Sequence, residues 1–178
     1  MIHRVRAALL LVAALTARAA ADVPSPPCTR CTLDVPANRK APIPLLVVLH
    51  GDRDHAANTA NRWRAAAKAR GWALLSLECP VADGCKGSWW QWNGDPGWVI
   101  AQVAAVQSSL STDPARIYRG GWSAARRTSG CTQAWTEAFA SVVIHGGGNP
   151  PSAECPPRAL TKANGIAILD WLAARPRT

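Results

Sequence analysis

The sequence predicts an α/β fold in which helices cover both faces of a mostly parallel sheet. Two patterns carry this prediction. Segments of continuous apolar residues alternate along the chain with segments in which apolar residues recur every three to four positions. Continuous apolar runs are typical of strands buried on both faces, and the wider spacing is typical of helices that bury one face. The 178 residues suffice for one domain.

The N terminus has the layout of a secretory signal peptide, predicted over residues 1–21. Arg4 and Arg6 precede an apolar run, Ala7–Leu15, and small residues follow around Ala19–Ala21. The run is too short to span a bilayer, so we expect a secreted protein, periplasmic or extracellular, without membrane insertion after cleavage.

The formal charge of +9 includes three arginines of this leader, which leaves +6 for the rest of the chain. The arginines are scattered, so nucleic acid is not an expected partner.

The six cysteines favour disulfides, because an exported chain meets an oxidising compartment and no histidine lies at ligand spacing from a cysteine pair. Several pairings are open. The preferred one joins Cys28 to Cys31 and Cys79 to Cys85, and leaves Cys131 with Cys155. A redox role for Cys28 and Cys31 is disfavoured, because they follow proline-rich coil and open no helix. We expect no metal site.

Secondary structure is predicted in alternating order within a domain at residues 41–178, after a proline-rich leader at residues 22–40. A short edge strand in the leader precedes four further strands: Thr32–Val35, Leu45–Leu49, Trp72–Leu77, Arg116–Gly120 and Ser141–Ile144. The helices are Asn58–Arg70, one that begins at Pro96 and is closed by Pro114, one after Ser123, and Thr161–Ala174. Residues 149–157 are expected to be coil. Asn58 and Asp95 are the expected N-caps, and Gly71 the stop of the first helix.

Two short motifs carry the chemistry. Gly121-Trp122-Ser123-Ala124-Ala125 lies between a predicted strand and a predicted helix, where a sharp turn between small neighbours raises a serine hydroxyl above the sheet. His50-Gly51-Asp52 follows the buried strand Leu45–Leu49, where esterases build part of an oxyanion hole from backbone N–H groups. The two motifs in this order predict a nucleophile, Ser123, and an oxyanion site. His50 is expected to organise the loop.

Four segments together resemble secreted bacterial esterases of the polyhydroxybutyrate depolymerase and feruloyl esterase group. They are Leu49-His50-Gly51-Asp52, Gly87-Ser88-Trp89-Trp90-Gln91-Trp92-Asn93-Gly94-Asp95-Pro96, Gly121-Trp122-Ser123 and Val142-Val143-Ile144-His145-Gly146-Gly147-Gly148. The resemblance covers Pro44 to Leu160. It implies an α/β-hydrolase fold and hydrolysis of carboxylic esters through an acyl-enzyme, without a cofactor. It also implies that Ser123 is the nucleophile and that Gly51, Asp52 and Ala124 supply the oxyanion N–H groups.

The sequence departs from this family in the rest of the catalytic triad. The family order is Ser, then Asp or Glu, then His. The only downstream histidine, His145, is preceded by one downstream carboxylate, Glu137, within a helix. We therefore infer that two strands with the acid and the histidine are deleted, and we expect a truncated sheet and weak or lost activity. His145 is the candidate for a substitute base. The strand Ser141–Ile144 is expected to have an unpaired edge, which predicts self-association.

A tryptophan-rich loop is the predicted substrate surface. Trp89, Trp90 and Trp92, with Trp98 just after the loop and Trp122 beside Ser123, offer flat apolar area for an aromatic acyl group or a sugar ring. The alternative is a lid packed on the core. Two other functions therefore stay open beside the esterase: a non-catalytic exported module that binds an ester polymer or glycan through this loop, and a degenerate fragment.

Overall fold

A computed structural model describes residues 23–81, 85, 96–122, 137–145, 158–161 and 165–177, with the backbone alone for residues 122, 144–145, 158–161 and 165–166. Nine helices and strands lie within these residues. In chain order they are β1 (Thr32–Asp34), β2 (Ile43–Leu49), α1 (Ala56–Ala69), β3 (Ala73–Leu77), α2 (Gly97–Ser109), β4 (Thr112–Trp122), β5 (Ser141–His145), β6 (Arg158–Thr161) and α3 (Gly165–Ala173). The predicted third helix, after Ser123, lies outside the described residues except for residues 137–138, which are helical.

The six strands form one sheet in the order β1-β3-β2-β4-β5-β6. β1 runs antiparallel to β3, and the other neighbouring pairs are parallel. β2 lies near the centre, and all seven of its residues are buried. Its continuous apolar sequence is explained by this position, since both of its faces are covered.

Helices cover both faces of the sheet. On one face, Leu46 and Val48 of β2 pack in a core with Trp63 of α1 and Leu169 of α3. On the other face, the alternate residues of β2 pack with α2, around Val103. Side chains that alternate along a strand point to opposite faces, so one apolar strand serves both cores. The fold class predicted from the sequence, a three-layer α/β sandwich with a mostly parallel sheet, is confirmed.

The predicted start of α1 is wrong by about one turn, while its predicted end is confirmed. The helix begins at Ala56 with His55 at the N-cap, and Asn58 instead donates from its side chain to Asp54 Oδ1 at 2.9 Å. Gly71 follows the last turn with φ +68°, the left-handed conformation that stops helices and that glycine adopts without strain.

The boundary between α2 and β4 also differs from the prediction. α2 begins at Gly97 with Pro96 at the N-cap, and it ends at Ser109. Pro114 therefore does not close the helix but lies inside β4. The pairing of β2 with β4 shifts register between Ile43 and Leu45, so residues 113–116 stand outside the regular ladder. A proline without an N–H is tolerated there because no ladder bond needs its donor.

A strand that the sequence did not predict covers the edge of β5. β6, Arg158–Thr161, pairs in parallel with β5 along four residues, and α3 begins at Gly165, after the predicted start at Thr161. The expectation that β5 has an unpaired edge is wrong, and the self-association argued from it loses its basis. Four residues with one large apolar side chain show no strand pattern, so tertiary pairing decides their conformation.

Two of the predicted disulfides are confirmed. Cys28 is bonded to Cys31, and Cys79 to Cys85. The third predicted pair, Cys131 and Cys155, lies outside the described residues.

None of the described helices is long and apolar enough to span a lipid bilayer. Within the described part of the chain, no group of three or more His, Cys, Asp or Glu side chains is arranged to hold a metal ion.

Candidate active site at the carboxyl edge of the sheet

The two predicted catalytic motifs follow neighbouring strands. Leu49, the last residue of β2, is paired with Gly121 of β4, and Trp122 at the end of β4 is paired with His145 at the end of β5. The chain continues from these strands at the carboxyl edge of the parallel sheet, the edge at which α/β folds bind ligands. Ser123, Ala124 and the loop tryptophans Trp89, Trp90 and Trp92 lie outside the described residues, and of Trp122 only the backbone is described.

The β2–α1 loop, residues 50–55, holds the Gly51 carbonyl in one orientation. Its oxygen accepts hydrogen bonds from His50 Nδ1 at 2.7 Å and from the Asp54 N–H at 3.2 Å. A trans peptide is planar, with its C=O and N–H pointing in opposite directions. The N–H of Asp52 therefore points away from His50 and Asp54.

His50 is fully buried and links two strands. Its Nδ1 donates to the Gly51 carbonyl, and its Nε2 accepts the Cys79 N–H at 3.2 Å. These two bonds require the neutral imidazole with its proton on Nδ1. Burial lowers the pKa of His50, and the hydrogen bond to Gly51 opposes that shift only in part. His50 therefore organises the loop and does not serve as a base.

A buried carboxylate beside this loop is a residue that sequence reasoning missed. Glu78 follows directly after β3 and is 7% exposed. Its Oε1 accepts a hydrogen bond from His55 Nδ1 and its Oε2 accepts the Ala56 N–H, both at 2.7 Å. Arg30 lies 3.5 Å from the same carboxylate. A charged residue directly after the buried, mostly apolar strand Ala73–Leu77 was the available signal, since the carboxyl ends of parallel strands carry functional side chains.

Asp54 completes the polar network of the loop. Its Oδ1 accepts the His55 N–H at 2.9 Å, and its Oδ2 pairs with Arg62. Burial by itself raises the pKa of Asp54, but hydrogen bonds from Asn58, the His55 N–H and Arg62 outweigh burial, so the pKa of this carboxyl lies below its usual value. Asp54 is ionised at neutral pH and ties the loop to the first turns of α1.

The structure separates the two downstream residues that the sequence offered for the triad. His145 ends β5 at the carboxyl edge, although its side chain is not described. Glu137 precedes β5 and lies toward the amino edge, where Arg177 donates to the Glu137 carbonyl and the Arg177 N–H donates to the Ala115 carbonyl at 2.7 Å. The segment after β6, residues 161–164, contains no carboxylate. Glu137 therefore does not lie at the edge where the motifs gather.

A cavity of about 300 Å³ lies away from this edge. It is lined by the end of β1, the last turns of α1 and the start of β3, including Asp34, Lys68 and Trp72. Because β1 is antiparallel to β3, the end of β1 lies toward the amino edge of the sheet. The cavity is therefore separate from the β2–α1 loop.

No protein-family model and no curated protein sequence matches this chain. Solved structures do match it. A thermostable esterase superposes with a TM-score of 0.55 at 16% identity, over 83% of this chain and 59% of that one. The chain also matches an acetyl xylan esterase from Aspergillus awamori (TM-score 0.49, 15% identity, 64% of this chain and 45% of that one) and a bacterial heroin esterase (0.46, 22%, 64% and 38%).

The likeness to the thermostable esterase, together with the sheet order and the helix layers, shows that the chain has the α/β-hydrolase fold. Sequence identities this low establish the fold alone, since one fold hosts many functions. The chain spans less than two thirds of the length of each of the three solved structures.

Proposed function

We propose that this protein is a secreted serine carboxylesterase-type hydrolase that cleaves carboxylic esters through Ser123. The single observation that supports it best is the orientation of the Gly51 carbonyl, which is held by His50 and Asp54 so that the Asp52 N–H points away from both. This N–H belongs to the loop after β2, and Ser123 comes one residue after the neighbouring strand β4. A nucleophile and an oxyanion donor on adjacent strands are the core of acyl transfer.

In the proposed reaction, the Ser123 hydroxyl attacks the ester carbonyl and the alcohol leaves, which gives an acyl-enzyme that water then hydrolyses. The N–H groups of Asp52 and Ala124, with the Gly51–Asp52 turn, bind the negative oxygen of the tetrahedral intermediate. Hydrogen-bond donors aimed at a developing charge are commonly the largest catalytic contribution, about 10²–10³-fold per donor. The reaction needs no cofactor.

His145 is the proposed base. Its backbone is paired with Trp122, the residue before Ser123, on the adjacent strand. Adjacent strands lie about 4.8 Å apart, so an imidazole at this position is within a side chain's reach of the residue after β4. Without a carboxylate to orient it, such a base works poorly, and we expect slow turnover.

The proposed substrates are esters of the polyester, feruloyl or acetyl class, contacted by Trp89, Trp90, Trp92 and Trp122. Aromatic side chains offer rigid apolar surface to acyl groups and sugar rings. The proposed export agrees with the two disulfides, which persist in oxidising compartments.

Nitrophenol release from p-nitrophenyl butyrate tests the proposal. The oxidised protein is compared with its Ser123→Ala and His145→Ala variants, and turnover should fall to the background rate in the serine variant, because no other nucleophile is proposed. Loss of turnover in the histidine variant would identify the base. If the parent protein only matches Ser123→Ala, the chain does not hydrolyse these esters and the proposal fails.

A further inference from the structure

The carboxylate of Glu78 holds the end of the β2–α1 loop with both of its oxygens. One oxygen binds the His55 imidazole and the other binds the Ala56 N–H, each at 2.7 Å. Ala56 is the first residue of α1, so Glu78, which follows β3, caps this helix with its side chain. A carboxylate that is 7% exposed is stable only when it is fully hydrogen-bonded, and each charge-assisted bond is stronger than a neutral one.

The residue after Glu78 holds the beginning of the same loop. Cys79 donates its backbone N–H to His50 Nε2 at 3.2 Å, and His50 in turn holds the Gly51 carbonyl. Two consecutive residues of the β3 exit therefore fix both ends of a six-residue loop. Between these ends, the Gly51–Asp54 turn orients the Asp52 N–H.

Glu78 is itself anchored. Its own N–H donates to Cys31 Sγ at 3.3 Å, and Cys31 is bonded to Cys28. Ser76 lies two residues before Glu78, and its Oγ donates to the Ala56 carbonyl at 2.8 Å. The junction between the loop and α1 is thus bonded at both its N–H and its C=O by the end of β3.

We propose that Glu78 is a positioning residue of the ester-hydrolysing site, which fixes the direction of the Asp52 N–H by clamping the far end of the loop. This inference rests on the proposed function. Both carboxylate oxygens face the loop, so Glu78 acts through the loop and does not touch the substrate. A misplacement of about 1 Å in a catalytic group can lower a rate about 10²-fold, so the clamp affects the chemical step more than it affects binding.

The test compares kcat and KM for p-nitrophenyl butyrate in the oxidised parent protein and in Glu78→Ala, Glu78→Asp and Glu78→Gln. The alanine variant should lose about 10-fold or more in kcat while KM changes by less than about 3-fold, because an oxyanion donor acts mainly in the transition state. Glutamine should restore kcat to within about 3-fold, since its carbonyl can accept the Ala56 N–H and its amide can donate to the other tautomer of His55. Aspartate keeps the charge but is one methylene too short for both bonds, so it should resemble alanine in kcat.

Asp113→Ala is the matched control. Asp113 also accepts a backbone N–H, from Ala115 at 2.9 Å, and pairs with Arg116 at 2.6 Å, but it lies at the start of β4, at the opposite edge of the sheet. Its loss should leave kcat within about 2-fold of the parent, as expected for a residue distant from the reacting atoms.

The outcomes separate the two proposals. If turnover depends on Ser123 and the alanine and aspartate variants of Glu78 lose no more kcat than Asp113→Ala, the positioning role is refuted and the proposed function stands. If Glu78→Ala does not fold, Glu78→Asp decides by the same criterion, measured on its folded fraction. If the parent protein matches Ser123→Ala, the proposed function fails and the positioning role falls with it.

Discussion

The two edges of the sheet hold their polar side chains differently. At the carboxyl edge, His50 and Glu78 are 0% and 7% exposed, and both bond the backbone of the β2–α1 loop. At the amino edge, the Asp113–Arg116 pair is partly exposed, and Arg177 reaches across the surface to the carbonyls of Pro114 and Glu137. Polar groups bond the backbone at both edges, but burial makes a hydrogen bond costly to break, so the bonds at the carboxyl edge should contribute more to stability.

Substitution of His50 by leucine should give the largest loss of stability at the carboxyl edge. His50→Leu keeps a similar volume but leaves the buried Gly51 carbonyl and Cys79 N–H without their imidazole partner. The Gly51 carbonyl keeps the Asp54 N–H, so the main loss is the buried bond to the Cys79 N–H, and the free energy of unfolding should fall by about 1–3 kcal/mol. Urea denaturation of the oxidised protein measures it, and a loss below about 1 kcal/mol would contradict the structural role assigned to His50.

His50 should also make the stability depend on pH, with a smaller effect than that of its substitution. Burial lowers the pKa of His50, so in the folded state it stays neutral at pH values where the unfolded chain, with a pKa of about 6.5, takes up a proton. Stability is therefore retained above about pH 6.5 and lost as the pH falls toward the lowered folded value. Glu78, Asp54 and His55 are the charged or titratable neighbours that act on the imidazole.

Thermal melting from pH 8 to pH 5 checks this expectation. The parent protein should lose stability below about pH 6.5, and His50→Leu, which has no imidazole to protonate, should show a shallower decline over the same interval. Parallel curves for the two proteins would show that other groups cause the decline.

Gly71→Ala tests the amino edge with a substitution that affects only the backbone conformation. Gly71 precedes β3 with φ +68°, and an added Cβ would meet no atom within 4 Å. The substitution therefore introduces only the strain of a left-handed alanine, about 1 kcal/mol. The expected result is a free energy of unfolding lowered by that amount in urea denaturation, with an unchanged rate of nitrophenol release from p-nitrophenyl butyrate. A change in kcat would show that this turn communicates with the carboxyl edge.

Much of the fold follows from local sequence, and the misses have physical causes. β2 is a continuous apolar run, β3 is mostly apolar, and Gly71 supplies a conformation that other residues avoid. β6 was missed because its four residues pair with β5 without any pattern of their own. The start of α1 was missed because its capping partner, Glu78, is a distant residue that no local rule identifies.

In the candidate site, too, one part was predicted from the sequence and another part was missed. The Gly51–Asp52 turn was located from its place after a buried strand, and the structure supplies the hydrogen bonds that orient it. Glu78 was missed because the search for a carboxylate followed the family order and began after Ser123. The assignments of Ser123, Ala124, His145 and the loop tryptophans remain predictions.

The bracing of the β2–α1 loop has a consequence for protein engineering. The hydrogen bonds described for it come from the end of β3, from the loop itself, from α1 and from Arg30. A designer who replaces the connections after β4 and β5 could therefore keep residues 50–56 together with Ser76–Cys79 as one unit. In this sense the loop and the end of β3 form a rigid element on which a designed site can be built.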